Sequence, residues 1–139
     1  MDKELKSYTS TLAAARLARE NAYAPYSKFK VGAAVATVSG EIYAGCNIEN
    51  LSFGLTMCAE RGAVASAVAN GHKDLAAIAI VADSRQPPVP CGACRQVLAE
   101  FNPNLTIIAA TTEGLLEEFE LSKLLPVAKQ GVLEEARGV

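Results

Sequence analysis

Residues 58–94 decide the fold: Cys58-Ala59-Glu60-Arg61 opens a run of Ala and Val ending at Asn70-Gly71, Leu75 to Ala82 follows as an almost unbroken apolar run, and Pro90-Cys91-Gly92-Ala93-Cys94 closes the stretch. The first run predicts a buried helix over 58–70, stopped by a glycine cap. The second predicts a strand over 75–82 buried on both faces, because a strand with one wet face would alternate with polar residues. A proline-bearing loop is expected over 83–90, and a second helix from Cys91 through Arg95, Leu98 and Phe101 to the break at Asn102-Pro103.

Upstream, apolar positions at Leu5, Tyr8, Leu12, Ala15 and Leu17 with charges between them predict an amphipathic helix over residues 2 to about 22, ending before Ala24-Pro25. Residues 29–38 read as a strand turning at Ser39-Gly40, with 41–44 as its hairpin partner. The polar, irregular stretch 45–54 is expected to be a loop that aims side chains at a site. Downstream, 105–110 reads as another buried strand, 115–121 as a last strand and 122–125 as a short helical turn. A loosely ordered tail is expected over 127–139. Helix, hairpin, helix, strand, helix, strand describes an α/β sheet with helices on its faces, in a single domain over residues 1–139.

Composition narrows the function classes. Half the residues are apolar and there is no Trp, so the interior should be built from small aliphatics in close approach. A net charge of −2 gives no basic face for a polyanion, which argues against nucleic acid as a partner. No apolar run approaches the ~20 residues of a membrane span, and Met1-Asp2-Lys3-Glu4 lacks the layout of a signal peptide. The expectation is a cytoplasmic protein without a membrane partner, whose four cysteines serve metal binding or catalysis rather than a disulfide framework.

Three of those cysteines, Cys58, Cys91 and Cys94, match the donor number of a catalytic zinc site, which takes three protein ligands and keeps one position open. Both cysteine-bearing stretches fall where a helix should start, and the positive end of the helix dipole favours a thiolate. A Cys-x-x-Cys alone also fits a redox dithiol or half of a structural zinc knuckle. Glu60 opens an otherwise apolar helix, where a carboxylate needs a partner; it reads either as a proton carrier beside the metal or as a complement to the dipole. Three thiolates give a Zn²⁺ site a net charge of −1, calling for a neighbouring cation. Arg61 and Arg95 compete for that place, with a surface or subunit contact as the alternative for Arg61. Cys46 reads either as a small buried hydrophobe or as a fourth ligand completing a closed Cys₄ site. His72, in a turn-like stretch at a helix end, reads as a surface residue rather than a ligand.

In this order, the residues resemble the small, homotetrameric zinc-dependent cytidine deaminases, over nearly the whole chain: Ala24-Pro25-Tyr26-Ser27-Lys28-Phe29, Gly32-Ala33-Ala34, Gly45-Cys46-Asn47-Ile48-Glu49-Asn50, Cys58-Ala59-Glu60-Arg61, Pro90-Cys91-Gly92-Ala93-Cys94-Arg95-Gln96 and Leu124-Leu125-Pro126. The resemblance implies a three-layer α/β/α sandwich with a mixed sheet of about five strands. It implies one Zn²⁺ per subunit on Cys58, Cys91 and Cys94, Glu60 as the proton shuttle and Arg61 as the thiolate partner. It further implies that Phe29 packs against the base, that Asn47 and Glu49 hold the ribose hydroxyls and that Ala59 also binds the substrate. Read as residues alone, Phe29 fits a core strand aromatic, and Asn47 and Glu49 fit loop turns. The chain departs from the family pattern twice: no aromatic follows Pro126, and Phe53, a candidate to reach a neighbouring subunit, stands where a Tyr is common. The implied reaction is hydrolytic deamination of cytidine and deoxycytidine in pyrimidine salvage, by a homotetramer with shared sites. The alternatives are deamination of a related aminopyrimidine nucleoside or nucleoside antibiotic and, in another class, a non-catalytic Cys₄ zinc-stabilised binding module.

Overall fold

The computed structural model describes residues 8–128. Helix α1 spans Thr9–Arg19, strands β1 and β2 Val31–Thr37 and Ile42–Cys46, helix α2 Ala59–Ala69 and strand β3 Leu75–Ala82. They are followed by α3 at Gly92–Phe101, β4 at Thr106–Thr111, β5 at Leu116–Glu120 and the single turn α4 at Leu121–Leu124. The sheet order is β2-β1-β3-β4-β5. Only β3 and β4 run parallel, joined by a crossover that contains α3; the other neighbouring pairs are antiparallel.

The period-2 alternation of strand side chains divides the core between two faces. Ala33 and Val35 of β1, Ile78 and Ile80 of β3 and Ile107 of β4 pack with Ala59, Ala63, Val64 and Ala67 of α2 and with Leu98 and Ala99 of α3. Ala34, Ala79, Val81, Ile108 and Ala110 face the other way, against Leu12 and Ala15 of α1. This is the expected α/β/α layering of a five-stranded mixed sheet. Because half of these facing residues are Ala, helices and sheet approach closely, and each fully buried Ile adds about 1.5–3 kcal/mol of apolar burial. Two glycines permit the closest approaches. A Cβ on Gly32 would fall 2.0 Å from the Ala15 carbonyl oxygen of α1, and one on Gly45 would fall 2.4 Å from the Ala63 nitrogen of α2.

The glycine cap of α2 is a Schellman arrangement: Gly71 has φ +87, its N–H donates to the Val68 carbonyl, and His72 N–H donates to the Ala67 carbonyl. Several boundaries differ from expectation. Helix α1 is described only from Thr9 to Arg19, and the expected Leu5 lies outside the described residues. Leu17 is 67 % exposed, because it stands two residues, about 200° of helix, past Ala15 and so turns away from the sheet. Strand β2 continues through Gly45 and Cys46, expected in a loop, because the ladder to β1 persists at Ala33↔Gly45 and Gly32↔Cys46. Phe29 and Lys30 precede β1 rather than opening it. The expected loose tail lies outside the described residues from 129 on. Among the described residues, no helix is long and apolar enough to cross a membrane.

At the β1–β2 turn, the Glu41 carboxylate accepts hydrogen bonds from the Thr37 and Ser39 hydroxyls, and His72 Nδ1 lies 3.9 Å away. The hydroxyl donors, Ser39 foremost, lower the Glu41 pKa from 4.5 to about 2. A carboxyl with a depressed folded-state pKa contributes stability that is present above its unfolded pKa and is lost as pH falls through the folded value. The thermal advantage of the wild type over Glu41→Gln at pH 7 is therefore expected to shrink between pH 4.5 and 2, which melts recorded across that window will check. An advantage that stays constant to pH 2 would contradict the assignment.

Candidate metal centre and active site

Cys58 is the N-cap of α2 and Cys91 the N-cap of α3, both with extended backbone and neither side chain spent on a capping hydrogen bond. Their sulfurs remain available at two converging helix N-termini. Cys94 is the third residue of α3, and N-cap and third-residue side chains lie side by side across the first helical turn. That geometry explains the Cys-x-x-Cys spacing. The three Sγ atoms lie within 4.8 Å of one another, with Cys58 and Cys91 4.0 Å apart. Tetrahedral zinc with bonds of about 2.3 Å separates its sulfurs by about 3.8 Å, so the trio fits one Zn²⁺ and is otherwise an odd gathering of unbridged thiols.

Cys46 does not join the cluster. Gly45 faces α2, so its strand neighbour Cys46 faces the opposite layer, half-buried and unbridged. The closed Cys₄ reading loses its fourth ligand. His72 also lies outside, its ring against Tyr43 at 5.4 Å.

The two arginines separate according to helix position. Arg61, third in α2, reaches back over the N-cap so that Nη2 lies 3.5 Å from Cys58 Sγ and 3.4 Å from the Thr56 carbonyl. Arg95, one place further into its helix, donates instead to the Pro90 carbonyl at 2.8 Å and the Leu124 carbonyl at 3.4 Å. Hydrogen bonding from Cys94, reinforced by Arg61, lowers the Cys58 pKa to about 5, so the thiolate is favoured there. The same shared hydrogen bond, together with burial, holds the Cys94 proton firmly in place. Glu60 is only 6 % exposed, and burial, then the charge on Cys58, raises its pKa above the usual carboxylate value. A carboxyl that holds a proton more readily is suited to taking one up and passing it on.

A cavity of about 230 Å³ is lined by Cys58, Glu60 and Cys91 together with Phe29, Asn47 and Ala59. Phe29 is half-exposed and lines this cavity, which corrects the core-aromatic reading. Asn47 Oδ1 accepts from Val31 N–H and its Nδ2 donates to the Phe29 carbonyl. Glu49, which is not among the cavity walls, accepts from the backbone N–H groups of Tyr26 and Ser27 and from the Ser27 hydroxyl. These bonds, Ser27 foremost, lower the Glu49 pKa. Phe53 stands outside the cavity, 71 % exposed, in edge contact with the Tyr26 ring at 6.2 Å.

Sequence reasoning missed the remaining walls: Val31, Thr56, Ile80, Pro88 and Val89. Val31 and Ile80 were traceable in principle, since strand alternation puts both on the α2 face of the sheet. Thr56, Pro88 and Val89 sit in loops just before the cysteine-capped helices, and only the fold brings them together.

The sequence model described as the cytidine and deoxycytidylate deaminase zinc-binding region matches residues 5–110. A cytidine deaminase of Sporosarcina psychrophila is 50 % identical over 118 residues, 84 % of this chain and 87 % of that protein. One of Halalkalibacterium halodurans is 51 % identical over 112 residues, 80 % of this chain and 85 % of that protein. The crystal structure of cytidine deaminase from Burkholderia pseudomallei superposes with a TM-score of 0.82 at 45 % identity, covering 91 % of this chain and 98 % of that one. With three cysteine sulfurs converging at two helix N-termini beside a buried glutamate, the chain belongs to the zinc-dependent cytidine and deoxycytidylate deaminase family.

Proposed function

We propose that this protein hydrolyses free cytidine and deoxycytidine, converting each, with one water, to uridine or deoxyuridine and ammonia. The observation that carries this reading is Glu60, a buried carboxyl in the wall of a cavity that Cys58 and Cys91, two of the three clustered cysteines, also line. Cys58, Cys91 and Cys94 would hold the zinc as thiolates, favoured by the two helix N-termini. Bound there, zinc supplies Lewis acidity that brings the pKa of a water toward neutrality. Arg61 offsets the surplus negative charge of three thiolates. Glu60 accepts the proton released by water, delivers it to the pyrimidine ring nitrogen, and carries a further proton to the departing amino group.

Phe29 and Ala59 form walls for the base, while Asn47 and Glu49 engage the ribose hydroxyls. The substrate is a free nucleoside in this reading, in keeping with a net charge of −2. The active unit is a cytoplasmic homotetramer of single-domain subunits, in which the exposed Phe53 meets a neighbouring subunit.

Zinc-loaded protein incubated with cytidine is expected to lose the cytosine absorbance and to release one ammonia per uridine formed. Cys91→Ser is expected to bind much less than one zinc per chain by elemental analysis and to show no turnover above background. A wild type that carries zinc yet is inert on cytidine and deoxycytidine would defeat this function.

A further inference from the structure

We infer that Ser27 is a positioning residue for sugar recognition, acting through Glu49 and Phe29. The inference rests on the reading that Glu49 engages the ribose. Three observations meet at this side chain. The Ser27 hydroxyl donates to Glu49 Oε2 and accepts from Phe29 N–H at 3.0 Å, so one oxygen links the carboxylate to the residue that walls the cavity. Glu49 Oε1 already accepts the Tyr26 and Ser27 N–H groups, at 2.9 and 3.1 Å, which leaves Oε2 as the oxygen with spare lone-pair capacity for a sugar hydroxyl. Between Ser27 and Phe29 the chain passes through Lys28 at φ +62, a left-handed conformation that a non-glycine residue adopts at a cost. The Ser27-to-Phe29 bond spans that strained residue.

Ser27 therefore sets the direction of the remaining Glu49 lone pair and fixes the chain at Phe29 in the same stroke. It is exposed and does not line the cavity, so it acts on the substrate only through these two partners. Losing its hydroxyl should blur sugar binding and leave the proton chemistry at Glu60 intact. A loop that merely lost order would instead weaken every substrate alike.

The test compares cytidine with 2′,3′-dideoxycytidine, which presents the same base without either hydroxyl. For Ser27→Ala, KM for cytidine is expected to rise by on the order of tenfold with kcat within about twofold, while KM for the dideoxy compound, which keeps only the contact of its base with Phe29, rises by no more than about twofold. Ser27→Thr, which keeps the hydroxyl at this exposed position, is expected to restore the wild-type KM. Wild-type kinetics in Ser27→Ala, or an equal loss on both substrates, overturns the inference. Glu49→Gln separates its failure from that of the underlying reading. If Glu49→Gln is selective for cytidine and Ser27→Ala is silent, only the role of Ser27 falls. If Glu49→Gln shows no selectivity, the ribose assignment itself falls and the inference with it.

Discussion

Glu60→Gln is expected to lower kcat on cytidine by at least about three orders of magnitude while leaving one zinc per chain, because the substitution keeps the shape of the side chain and removes its proton chemistry. A single general acid or base contributes about 10²–10⁴-fold, and Glu60 is asked to move protons in both directions, which places the effect in the upper part of that range. The same change should not lower the thermal midpoint. Glu60 is 6 % exposed and burial opposes its ionisation, so a neutral isostere relieves a cost to the fold. Steady-state kinetics, elemental analysis and a melt on the same preparation settle the matter. Zinc lost together with activity would make Glu60 a structural support of the metal site, and near-normal kcat would remove it from the chemistry.

Gly45→Ala is expected to be the most damaging single-methyl change to the fold among those that bear on the site. The added carbon would stand 2.4 Å from the Ala63 nitrogen and 2.6 Å from the Gly62 carbonyl carbon, both backbone atoms of α2. Neither can swing aside as a side chain could, so helix and sheet must separate, at a cost of about 1–3 kcal/mol or more. The melting midpoint should fall by on the order of 10 °C. Since the first turn of α2 carries Cys58 and Glu60, displacement of that helix should also lower zinc content and kcat. Gly54→Ala is the control: a Cβ there meets nothing within 4 Å, and the melt should be unchanged. Equal melts for Gly45→Ala and the wild type would mean that the helix does not bear on β2 as closely as described.

Legibility in the sequence depended on whether a signal was local. Strand β3 was found to the residue because eight consecutive apolar positions bounded by polar ones admit few alternatives. The metal trio was legible because a lone Cys58 ahead of Glu60 and the Cys91-x-x-Cys94 pair together match the donor number of a catalytic zinc site. Leu17 was misplaced because counting apolar residues ignores the angle between them. The end of β2 was missed because Gly45 and Cys46 are held in the sheet by partners on β1, which the local composition does not reveal. The contest between Arg61 and Arg95 had the same origin: Arg61 stands three residues after Cys58 and Arg95 directly after Cys94, and only their different places in the first turn of each helix send one to sulfur and the other to carbonyls. The bonds from Glu49 to the chain 22 and 23 residues before it were likewise invisible locally.

Strand β5 ends the sheet, and three of its five residues are glutamates, Glu117, Glu118 and Glu120. An outer strand offers unspent backbone donors and acceptors to any passing extended chain, so it is where one molecule could zip onto the next. Like charges facing one another across such a seam repel, and two β5 edges brought together would oppose six carboxylates at neutral pH. The acidity of this strand is thus a barrier to runaway sheet extension.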